Sequence, residues 1–554
     1  MIKGHDKLLL TYDGNPGKMK YPPRGGEAQL YNLKKDPNET TNLAADQPEK
    51  VEALSALLDE WYVPEQRQVG KVTEVIPMER TPNRKNKGKA KGKGKRTAAK
   101  KQVAPPEKNA EQPNILFFFA DDQRNDTLGC AGHPIVETPT IDRLAAKGVR
   151  FENMFVTRST CWASRTTILN GMTSRSAVQP DGSDKVRPEA LTALYPDRLR
   201  DVGYRTALFG KWHAKMPKGF KPEDHFDEYE KIFRNPYFKE MPDGSKRHTT
   251  ELIADRGIKF LKTQRDRKKP FCLNLWFNAG HAEDRDRRPG IGNFPWPKAL
   301  DGKYDNIEIP APRLSDPAIF EAHPEFFKRS NHRERFHWRW DTPEKYQLNM
   351  RAYFRMLSGV DHVMGRVLKV LEQEGLADNT IVIYTADNGY YMGDRGFAGK
   401  WSHHEQSQRV PLVIYDPRLP KKLRGRTVDA MALNLDLPAT FLDWAGVNIP
   451  ASYQGISLKL WVESKAAPAE WRGDFFCEHF NPRYRMSWEG VRGKRFKYAR
   501  YLDQDPVFEF LHDLENDPDE LTNLTNDPEH ASVLKRLRQR TDALAAEYAG
   551  VFKD

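Results

Sequence analysis

The sequence predicts an α/β fold, with a mostly parallel central sheet covered by helices on both faces, followed by a small α+β C-terminal subdomain. From residue 113 onward, short apolar runs alternate with amphipathic helical stretches. The apolar runs are continuous, which is typical of strands buried on both faces. In the predicted helix Tyr346–Glu374, apolar residues recur at helical spacing and indicate a core-facing stripe. We expect a catalytic domain over residues 113–470 and the subdomain over 471–554.

The first 64 residues carry a copy of a segment from the far end of the chain. Leu30–Leu43 closely matches Leu511–Leu524, and both copies contain an Asp-Pro turn. Each copy follows a basic, strand-like segment and precedes an amphipathic helix, predicted at Pro48–Tyr62 and His530–Tyr548. We expect residues 1–64 to be a partial copy of the C-terminal subdomain, arising from fusion of tandem genes or a displaced start. The alternative is a functional additional module.

Residues 65–112 are rich in lysine and hold most of the positive charge. Between Glu65 and Lys108 there are 14 lysines and arginines against four glutamates, a net charge of +10 out of +12 for the whole chain. Charge repulsion and the shortage of apolar side chains predict a disordered linker. One alternative function is therefore a polyanion-binding protein acting through this linker, although a nucleic-acid partner is not expected.

Strands and helices are predicted to alternate within residues 113–470. Strands are expected at Ile115–Ala120, Arg205–Phe209, Phe271–Phe277, Ile381–Thr385 and Pro411–Tyr415. Helices are expected near Ile141–Lys147, Leu191–Asp201, Thr250–Thr263, Tyr346–Glu374 and Leu437–Ala445. The aromatic-rich stretch from His281 to Trp340 has no regular period, and we interpret it as an insertion beside the active site.

The composition argues against several classes of protein. The longest apolar runs span about six residues, whereas a membrane-spanning helix needs roughly 20, so no membrane span is expected. The first ten residues lack the apolar core of a secretory signal peptide. The spacing of the four cysteines suits neither a zinc cluster nor a disulfide framework.

Oxygen-bearing side chains follow two of the predicted strands. Asp121 and Asp122 come directly after the first strand, and Asp387 and Asn388 follow the strand that ends at Thr385. Because functional groups gather at the carboxyl ends of parallel strands, we expect these four side chains to meet. Three carboxylates and an amide oxygen are ligands that a hard divalent cation prefers.

A short motif around Cys161 completes a set that is known from one enzyme family. The motifs, in chain order, are Asp121-Asp122, Cys161-Trp162-Ala163-Ser164-Arg165, Gly210-Lys211-Trp212-His213, Asp387-Asn388-Gly389 and Gly399-Lys400. From about residue 114 onward the chain resembles the type I sulfatases of the alkaline phosphatase-like superfamily, whose signature is Cys or Ser, any residue, Pro or Ala, any residue, Arg. Several dispersed motifs in the family's order are stronger evidence for the resemblance than any one motif alone.

The resemblance implies covalent catalysis by a modified cysteine. Cys161 is expected to be converted into formylglycine, whose hydrated aldehyde attacks sulfur with one hydroxyl and expels sulfate with the help of the other. Arg165 is expected to orient this group from one helical turn away. The resemblance also implies a partner enzyme for maturation, either a formylglycine-generating or a radical-type sulfatase-maturating enzyme.

The resemblance assigns roles to eight further residues. The metal ligands are expected to be Asp121, Asp122, Asp387 and Asn388, holding Ca²⁺ or, less suitably, Mg²⁺. The sulfate-binding cations are expected to be Lys211 and Lys400. The base that helps to expel sulfate and the acid that protonates the leaving oxygen are expected to be His213 and His281.

Three positions depart from the usual pattern of the family. Ala163 stands where proline is commoner, which favours the radical-type maturation system. Asn170-Gly171 replaces the usual Thr-Gly, a change that bears on the efficiency of modification. His403-His404 stands where many relatives carry an apolar residue and a tyrosine. A capping box between Ser402 and Glu405 is expected to place both imidazoles in a first helical turn, where they contact substrate or face water.

Aromatic and arginine side chains in the insertion are candidates for the substrate wall. Aromatic faces suit sugar rings and arginine forks suit sulfates and carboxylates. The alternative is that they pack within the insertion. The candidates are Trp296, Phe336, Trp338, Trp340, Arg329, Arg333, Arg335 and Arg339, with Tyr484, Arg485 and Trp488 closing the cleft from the subdomain.

The sequence thus predicts a sulfatase that hydrolyses a sulfate ester, with a sulfated carbohydrate or small molecule as substrate. The nearest alternative is a phosphonate monoester or phosphodiester hydrolase of the same superfamily. A periplasmic or secreted location is expected from the resemblance, although no signal peptide is visible in this chain.

Overall fold

The structure, a computed structural model, describes residues 2–3, 6–9, 29–32, 43–52, 112–179, 184–264, 266, 268–284, 293–466, 468 and 470–552. The chain divides into two compact units, Met1–Gln102 and Val103–Asp554. The predicted linker lies almost entirely outside the described residues, so its disorder stays a prediction. Of the predicted helix Pro48–Tyr62, residues 48–52 are described and are helical.

The first unit contains three short antiparallel strands whose register repeats that of the C-terminal sheet. Strands β1 (Ile2–Lys3), β2 (Asp6–Leu9) and β3 (Gln29–Asn32) pair in that order. Lys7 pairs with Tyr31 in the first unit, as Lys497 pairs with His512 near the C-terminus. These are the positions that the sequence repeat aligns, so the strand pairing supports the proposal that residues 1–64 copy part of the subdomain.

The second unit is built around a nine-stranded sheet. Its spatial order is β13-β5-β12-β11-β4-β10-β6-β7, and β14 also pairs with β5. The strands of the whole second unit, including those outside this sheet, are in chain order β4 (Asn114–Ala120), β5 (Val149–Phe155), β6 (Arg205–Gly210), β7 (Glu228–Lys231), β8 (Phe238–Glu240), β9 (Lys246–His248), β10 (Phe271–Trp276), β11 (Thr380–Ala386), β12 (Arg409–Tyr415), β13 (Arg426–Val428), β14 (Ala432–Leu433), β15 (Asp474–His479), β16 (Trp488–Gly493), β17 (Phe496–Tyr501) and β18 (Phe508–Asp513).

The centre of this sheet is parallel, as the alternation of strands and helices predicts. Strands β11, β4, β10, β6 and β7 all run in the same direction, whereas β12 is antiparallel to both of its neighbours. Every residue of β4, β10 and β11 is buried. Continuous apolar runs suit these positions because helices cover a parallel sheet on both faces.

Two groups of helices cover the sheet. Pro343–Gln373 contacts Thr249–Lys262 and Pro139–Lys147, while Asp436–Trp444 contacts Cys161–Asn170 and Tyr195–Asp201. The α-helices of this unit are Pro139–Lys147, Cys161–Asn170, Ser174–Ala177, Tyr195–Asp201, Thr249–Lys262, Pro317–Glu321, Glu325–Lys328, Asn331–Arg339, Pro343–Gln373, Glu405–Gln408, Asp436–Trp444, Lys459–Glu463 and Ala531–Ala549. The predicted fold class is therefore confirmed, including its C-terminal subdomain.

The C-terminal subdomain is an antiparallel sheet of the four strands β15 to β18 in sequential order. The long helix Ala531–Ala549 packs on this sheet through Leu534, Leu537 and Leu544. The boundary predicted at residue 471 lies three residues before β15 begins.

The insertion is more regular than expected. Three short helices, Pro317–Glu321, Glu325–Lys328 and Asn331–Arg339, lie within residues 281–340. These helices form in a stretch whose side chains show no helical period, and the first of them contains no buried residue. In the part of the chain that the structure describes, no helix is long and apolar enough to cross a membrane.

Candidate active site

The four predicted metal-binding side chains meet at the carboxyl ends of two adjacent strands. Strands β4 and β11 are paired in register, with Ala120 opposite Ala386, so Asp121 and Asp387 emerge side by side. The Asp122 amide donates to Asp387 Oδ1 over 3.2 Å, and Asn388 Nδ2 donates to Asp122 Oδ1 over 2.6 Å. All four side chains are buried.

Cys161 lies at the same point, in the first turn of the Cys161–Asn170 helix. Its Sγ is 3.3 Å from Asp121 Oδ1 and 4.0 Å from Asp122 Oδ1. All ten residues of this helix are buried, so its N-terminus is held rigidly against the sheet. The partial positive charge of a helix N-terminus favours an anionic group here.

Two lysines reach the same cluster from opposite sides. Lys211 is ion-paired with Asp121, and Lys400 with Asp122. Lys400 Nζ also donates to Cys161 Sγ over 2.8 Å. Lys211 follows Gly210, which has a φ of +125°. A Cβ atom on residue 210 would lie 2.0 Å from the Trp276 carbonyl oxygen, so glycine alone fits there.

Each carboxylate of this cluster has a cationic partner, but burial opposes the negative charge of all three. Lys211 and the other cations hold the pKa of Asp121 well below its usual value despite burial. Burial and the neighbouring Asp121 instead raise the pKa of Asp387 to about 6, and burial raises that of Asp122. Burial and Asp121 also raise the pKa of the Cys161 thiol to about 12. Two carboxylates that favour protonation indicate a place for another cation.

The chemistry of the donors fits a hard divalent cation. The ligand atoms of Asp121, Asp122, Cys161 and His281 all lie within 4.8 Å of one another. Among the described residues, no hydrogen-bond donor reaches the buried Oδ1 of Asn388. A buried acceptor without a donor is costly unless a ligand contacts it. An oxygen-dominated set of this kind suits Ca²⁺ or Mg²⁺ better than zinc.

Arg165 binds the carboxylate of Asp387, one of the predicted metal ligands. Its Nε donates to Asp387 Oδ2 over 2.8 Å, and its Nη1 donates to the Lys211 carbonyl over 2.9 Å. Both charged side chains are completely buried. Arg165 therefore fixes the position of Asp387 and of the Lys211 backbone, and through them the geometry around the nucleophile.

His281 is oriented with one ring nitrogen toward the cluster. Its Nδ1 lies 2.8 Å from the Ala282 carbonyl, which only accepts, so this nitrogen carries the hydrogen. Its Nε2 lies 3.8 Å from Asp122 Oδ2 and is available for proton transfer. Burial, and then the positive charge of Arg234, hold the pKa of His281 well below its usual value.

His213 lies at the open side of the site. It is exposed to solvent and has a positive φ of 49°, which turns the chain sharply after Lys211. Although the ring reaches solvent, the surrounding protein and the charge of Lys211 lower its pKa. A neutral imidazole is a proton acceptor, as the predicted role of His213 requires.

His403 and His404 are buried at the contact with the C-terminal subdomain, so the expectation that they face water was wrong, whereas a contact with substrate stays a prediction. His403 Nδ1 lies 2.9 Å from Tyr501 Oη, and His404 Nδ1 lies 2.6 Å from Tyr391 Oη. The predicted capping box is absent, since the helix begins at Glu405 with His404 as its N-cap and no side-chain cap bond. The C-terminal subdomain covers these rings, and the sequence around His403 and His404 does not indicate this contact.

The candidate substrate wall divides into packing residues and cleft residues. Trp340 is buried against Phe294, and Trp296 stacks on Arg355, which matches the alternative of packing within the insertion. Arg329 extends into solvent, 83% exposed, beside Glu325.

Other members of the candidate wall lie next to Lys400, which is predicted to bind sulfate. The Arg335 guanidinium lies 5.1 Å from the ring centres of both Trp338 and Trp401, and Trp401 follows Lys400. From the subdomain, Tyr484 is exposed and Arg485 binds the Asp503 carbonyl. Trp488 is buried and donates to the Trp401 carbonyl over 2.8 Å, so it supports the cleft from beneath.

The sequence analysis missed two charged residues beside the site, Arg234 and Asp284. Arg234 follows the edge strand β7, whose charged composition gives no strand signal that would place it near Cys161. Its electrostatic partners include Asp121, Asp284 and Cys161. Asp284 also contacts Arg335. Its position three residues after His281 is the sequence feature that could have indicated that Asp284 lies near the site.

Comparison with known proteins gives matches over most of the second unit. The Sulfatase family profile matches residues 113–447, and the profile for the C-terminal part of N-sulphoglucosamine sulphohydrolase matches residues 393–547. The N-acetylglucosamine-6-O-sulfatase of Bacteroides thetaiotaomicron is 31% identical over 504 residues, covering 80% of this chain and 88% of that protein.

Solved structures show the same fold. A structure of a protein in complex with its substrate D-glucosamine-2-N,6-O-disulfate matches with a TM-score of 0.68 and 27% identity, over 80% of this chain and all of that one. A phosphonate monoester hydrolase from Silicibacter pomeroyi matches with a TM-score of 0.64 and 23% identity, over 79% of this chain and 96% of that one, which shows the fold alone. The chain belongs to the sulfatase family and is a sulfuric ester hydrolase.

Proposed function

We propose that this sulfatase removes a sulfate ester from a sulfated amino sugar, using formylglycine derived from Cys161 and a bound Ca²⁺. The observation that carries the proposal is the convergence of Cys161, Asp121, Asp122 and Lys400 in one buried cluster at the end of strand β4. A maturation enzyme of the formylglycine-generating or radical type is the partner that this proposal requires.

The unmodified thiol is a poor nucleophile in this position. Burial and the nearby carboxylates raise its pKa, so the thiolate is scarce at neutral pH. When residue 161 is formylglycine, its hydrated aldehyde supplies one hydroxyl to attack sulfur and a second whose deprotonation expels sulfate and restores the aldehyde. The atoms of the cycle balance because the attacking hydroxyl oxygen leaves with the sulfate, and a water molecule then hydrates the aldehyde again.

The residues around this group bind and neutralise the sulfate ester. Asp121, Asp122, Asp387 and Asn388 hold the cation, which supplies charge stabilisation at the reacting oxygens. Lys400 contacts residue 161 directly, and Lys211 faces it across Asp121. Both are point charges that would bind the sulfate oxygens of the substrate.

Protons are moved by the two histidines. His213, at the solvent-exposed side, takes the proton from the second hydroxyl as sulfate leaves. His281 directs Nε2 into the cluster and donates a proton to the departing sugar oxygen. The negative charge of a bound sulfate ester opposes the lowering effect of Arg234 on the pKa of His281, so binding favours the protonated acid.

An amino sugar is proposed as substrate because of two relatives. One is the N-acetylglucosamine-6-O-sulfatase, and the other is the structure with D-glucosamine-2-N,6-O-disulfate bound. The pairing of Arg335 with Trp338 and Trp401 next to Lys400 supports this choice, because aromatic faces pack on sugar rings and guanidinium groups bind anionic substituents.

Co-expression with a maturation enzyme, followed by a rate comparison, tests the proposal. Mass spectrometry of the peptide containing residue 161 measures conversion of the thiol to an aldehyde. The converted protein is expected to release sulfate from N-acetylglucosamine 6-sulfate and aryl sulfate with added Ca²⁺. Faster hydrolysis of an aryl phosphonate or a phosphodiester than of every sulfate ester tested would contradict the proposal and favour the related hydrolase activity.

A further inference from the structure

Three arginines converge on one carboxylate beside His281. Arg335 Nη1 lies 3.0 Å from Asp284 Oδ1, and Arg339 donates to the same oxygen. Arg234 Nη2 lies 3.7 Å from Asp284 Oδ2. Three guanidinium groups therefore surround one carboxylate at this point of the described structure.

Arg234 is the arginine of this group that faces the reacting residues. Its charge acts on Asp121 and Cys161, and it is the strongest charge acting on His281. Among the described residues, no acceptor reaches its buried Nε. The side chain is 24% exposed, so its other end reaches solvent. A buried donor without an acceptor indicates that a ligand supplies one.

Arg335 extends the positive charge along the cleft. Its side chain is 24% exposed and lies between Trp338 and Trp401. Because Trp401 directly follows Lys400, which contacts Cys161, the cationic surface runs from the nucleophile to the insertion. In the proposed function Lys211 and Lys400 bind the reacting sulfate, so Arg234 and Arg335 are available to bind another anion.

We propose that Arg234 and Arg335 form a second anion subsite, which selects substrates that carry another sulfate or a carboxylate near the scissile sulfate ester. This inference rests on the proposed function and adds to it a specificity that no residue of the catalytic cluster explains. Guanidinium groups bind sulfates and carboxylates alike through paired hydrogen bonds. A binding measurement therefore decides which of the two anions the subsite prefers.

Equilibrium binding tests the subsite without depending on catalysis. We suggest calorimetric titration of the Cys161→Ala protein with Ca²⁺ present, using three ligands. N-acetylglucosamine 6-sulfate lacks a second anion, glucosamine N,6-disulfate adds a sulfate, and a 6-sulfated disaccharide with a uronate adds a carboxylate. At least one of the last two is expected to bind about 10-fold or more tightly than the first, and the tighter one identifies the source.

Substitution of Arg234 is expected to remove this preference. Arg234→Met should weaken the preferred ligand by about 10- to 100-fold while changing N-acetylglucosamine 6-sulfate by less than about 3-fold. Arg335→Met should do the same to a smaller extent, and Arg234→Lys should restore part of the preference because it keeps the charge. Arg329→Met, an exposed arginine of the same insertion, is the matched control and should behave like the parent protein.

The same variants in the matured enzyme separate the subsite from the proposed function. Arg234→Met is expected to lower kcat/KM for the doubly anionic substrate by at least about 10-fold more than that for the aryl sulfate. Equal binding of all three ligands by the parent, or an equal loss on all three in Arg234→Met, would overturn the subsite. A matured parent that binds selectively but hydrolyses no sulfate ester would instead refute the proposed function alone.

Discussion

Two buried clusters of charged residues in this protein are built from similar side chains but are compensated differently. In the active-site cluster, Asp122 and Asp387 have raised pKa values because burial and carboxylate neighbours outweigh the cations present. In the second cluster, at the contact with the C-terminal subdomain, Lys497 Nζ lies 2.5 Å from Glu405 Oε1 and 2.7 Å from Glu520 Oε1. Arg492 and Lys497 there lower the pKa of Glu405 despite its burial.

The difference distinguishes a binding site from a structural contact. The second cluster, which we call the interface cluster, consists of Glu405, Arg492, Lys497 and Glu520, and its acceptors are satisfied in place. The Glu405 amide donates to Glu520 Oε2 over 2.8 Å, and Lys497 also donates to the His403 carbonyl over 3.0 Å. The active-site cluster retains an acceptor, Asn388 Oδ1, for which the described residues supply no donor. Raised carboxyl pKa values together with an oxygen that has no donor therefore distinguish the candidate functional cluster.

The largest effect is expected for the nucleophile. Cys161→Ala should lower kcat for sulfate ester hydrolysis by at least about 10⁴-fold, because the covalent step is lost. Cys130→Ala is the matched control, since Cys130 lies near Asp142 and outside the cluster. Steady-state rates of both variants, with the degree of conversion at residue 161, make the measurement. Substantial activity in Cys161→Ala would contradict the assignment.

The next effect tests the compensating cation. Asp387→Asn should lower activity by about 100-fold or more and raise the Ca²⁺ concentration needed, because several kcal/mol of charge stabilisation depend on the cation. Chelation of the parent should also lower its melting temperature, since a bound ion stabilises only the folded state. Asp416→Asn is the control, because this buried carboxylate follows the neighbouring strand β12 and pairs with Arg418. Calcium-independent activity would contradict this prediction.

The interface cluster should respond in stability rather than catalysis. Lys497→Met removes the cation that two buried carboxylates share, leaving Arg492 as a partner of Glu405, and should cost about 3–5 kcal/mol in the free energy of unfolding. Arg495→Met removes an exposed partner of Asp513 and should change the free energy of unfolding far less. Thermal or denaturant unfolding measures both, and kcat of the folded Lys497→Met protein should stay within a few-fold of the parent. A large loss of kcat without destabilisation would show that the two clusters are coupled.

The smallest effect concerns acid stability. Because Glu405 has a lower pKa when folded than when unfolded, its contribution is present above the unfolded value of about 4.3 and is lost as the pH falls toward the folded value. Glu405→Gln should therefore destabilise the protein at pH 7 and lose less further stability between pH 5 and pH 3.5 than the parent. The lowered pKa values of His403 and His404 act in both proteins, so the difference isolates Glu405.

Unfolding curves at several pH values measure this prediction. Glu325→Gln is the matched control, because Glu325 is 68% exposed and forms only surface ion pairs. Parallel loss of stability with acid in Glu405→Gln and the parent would mean that Glu405 does not contribute through its charge.

Much of the catalytic centre was predictable because it is built from short motifs at the ends of strands. Asp121 and Asp387 follow continuous apolar runs, and two adjacent parallel strands must deliver such residues to one edge. The insertion was less predictable. The same residue types serve in packing, as Trp340 does against Phe294, and in the cleft, as Trp338 does against Arg335. Local sequence does not distinguish these roles because burial depends on distant partners.

The sequence alone determined the fold class, the nucleophile candidate and the charged residues of the motifs, because apolar periodicity and motif order can be recognised without the structure. Only the tertiary structure decided which charges are compensated. It showed that His403 and His404 are covered by the C-terminal subdomain and that the charge of Arg234, which follows an edge strand, acts on Cys161. The reason is physical: the pKa and the role of a charged group depend on burial and on neighbours hundreds of residues away, which packing alone brings together.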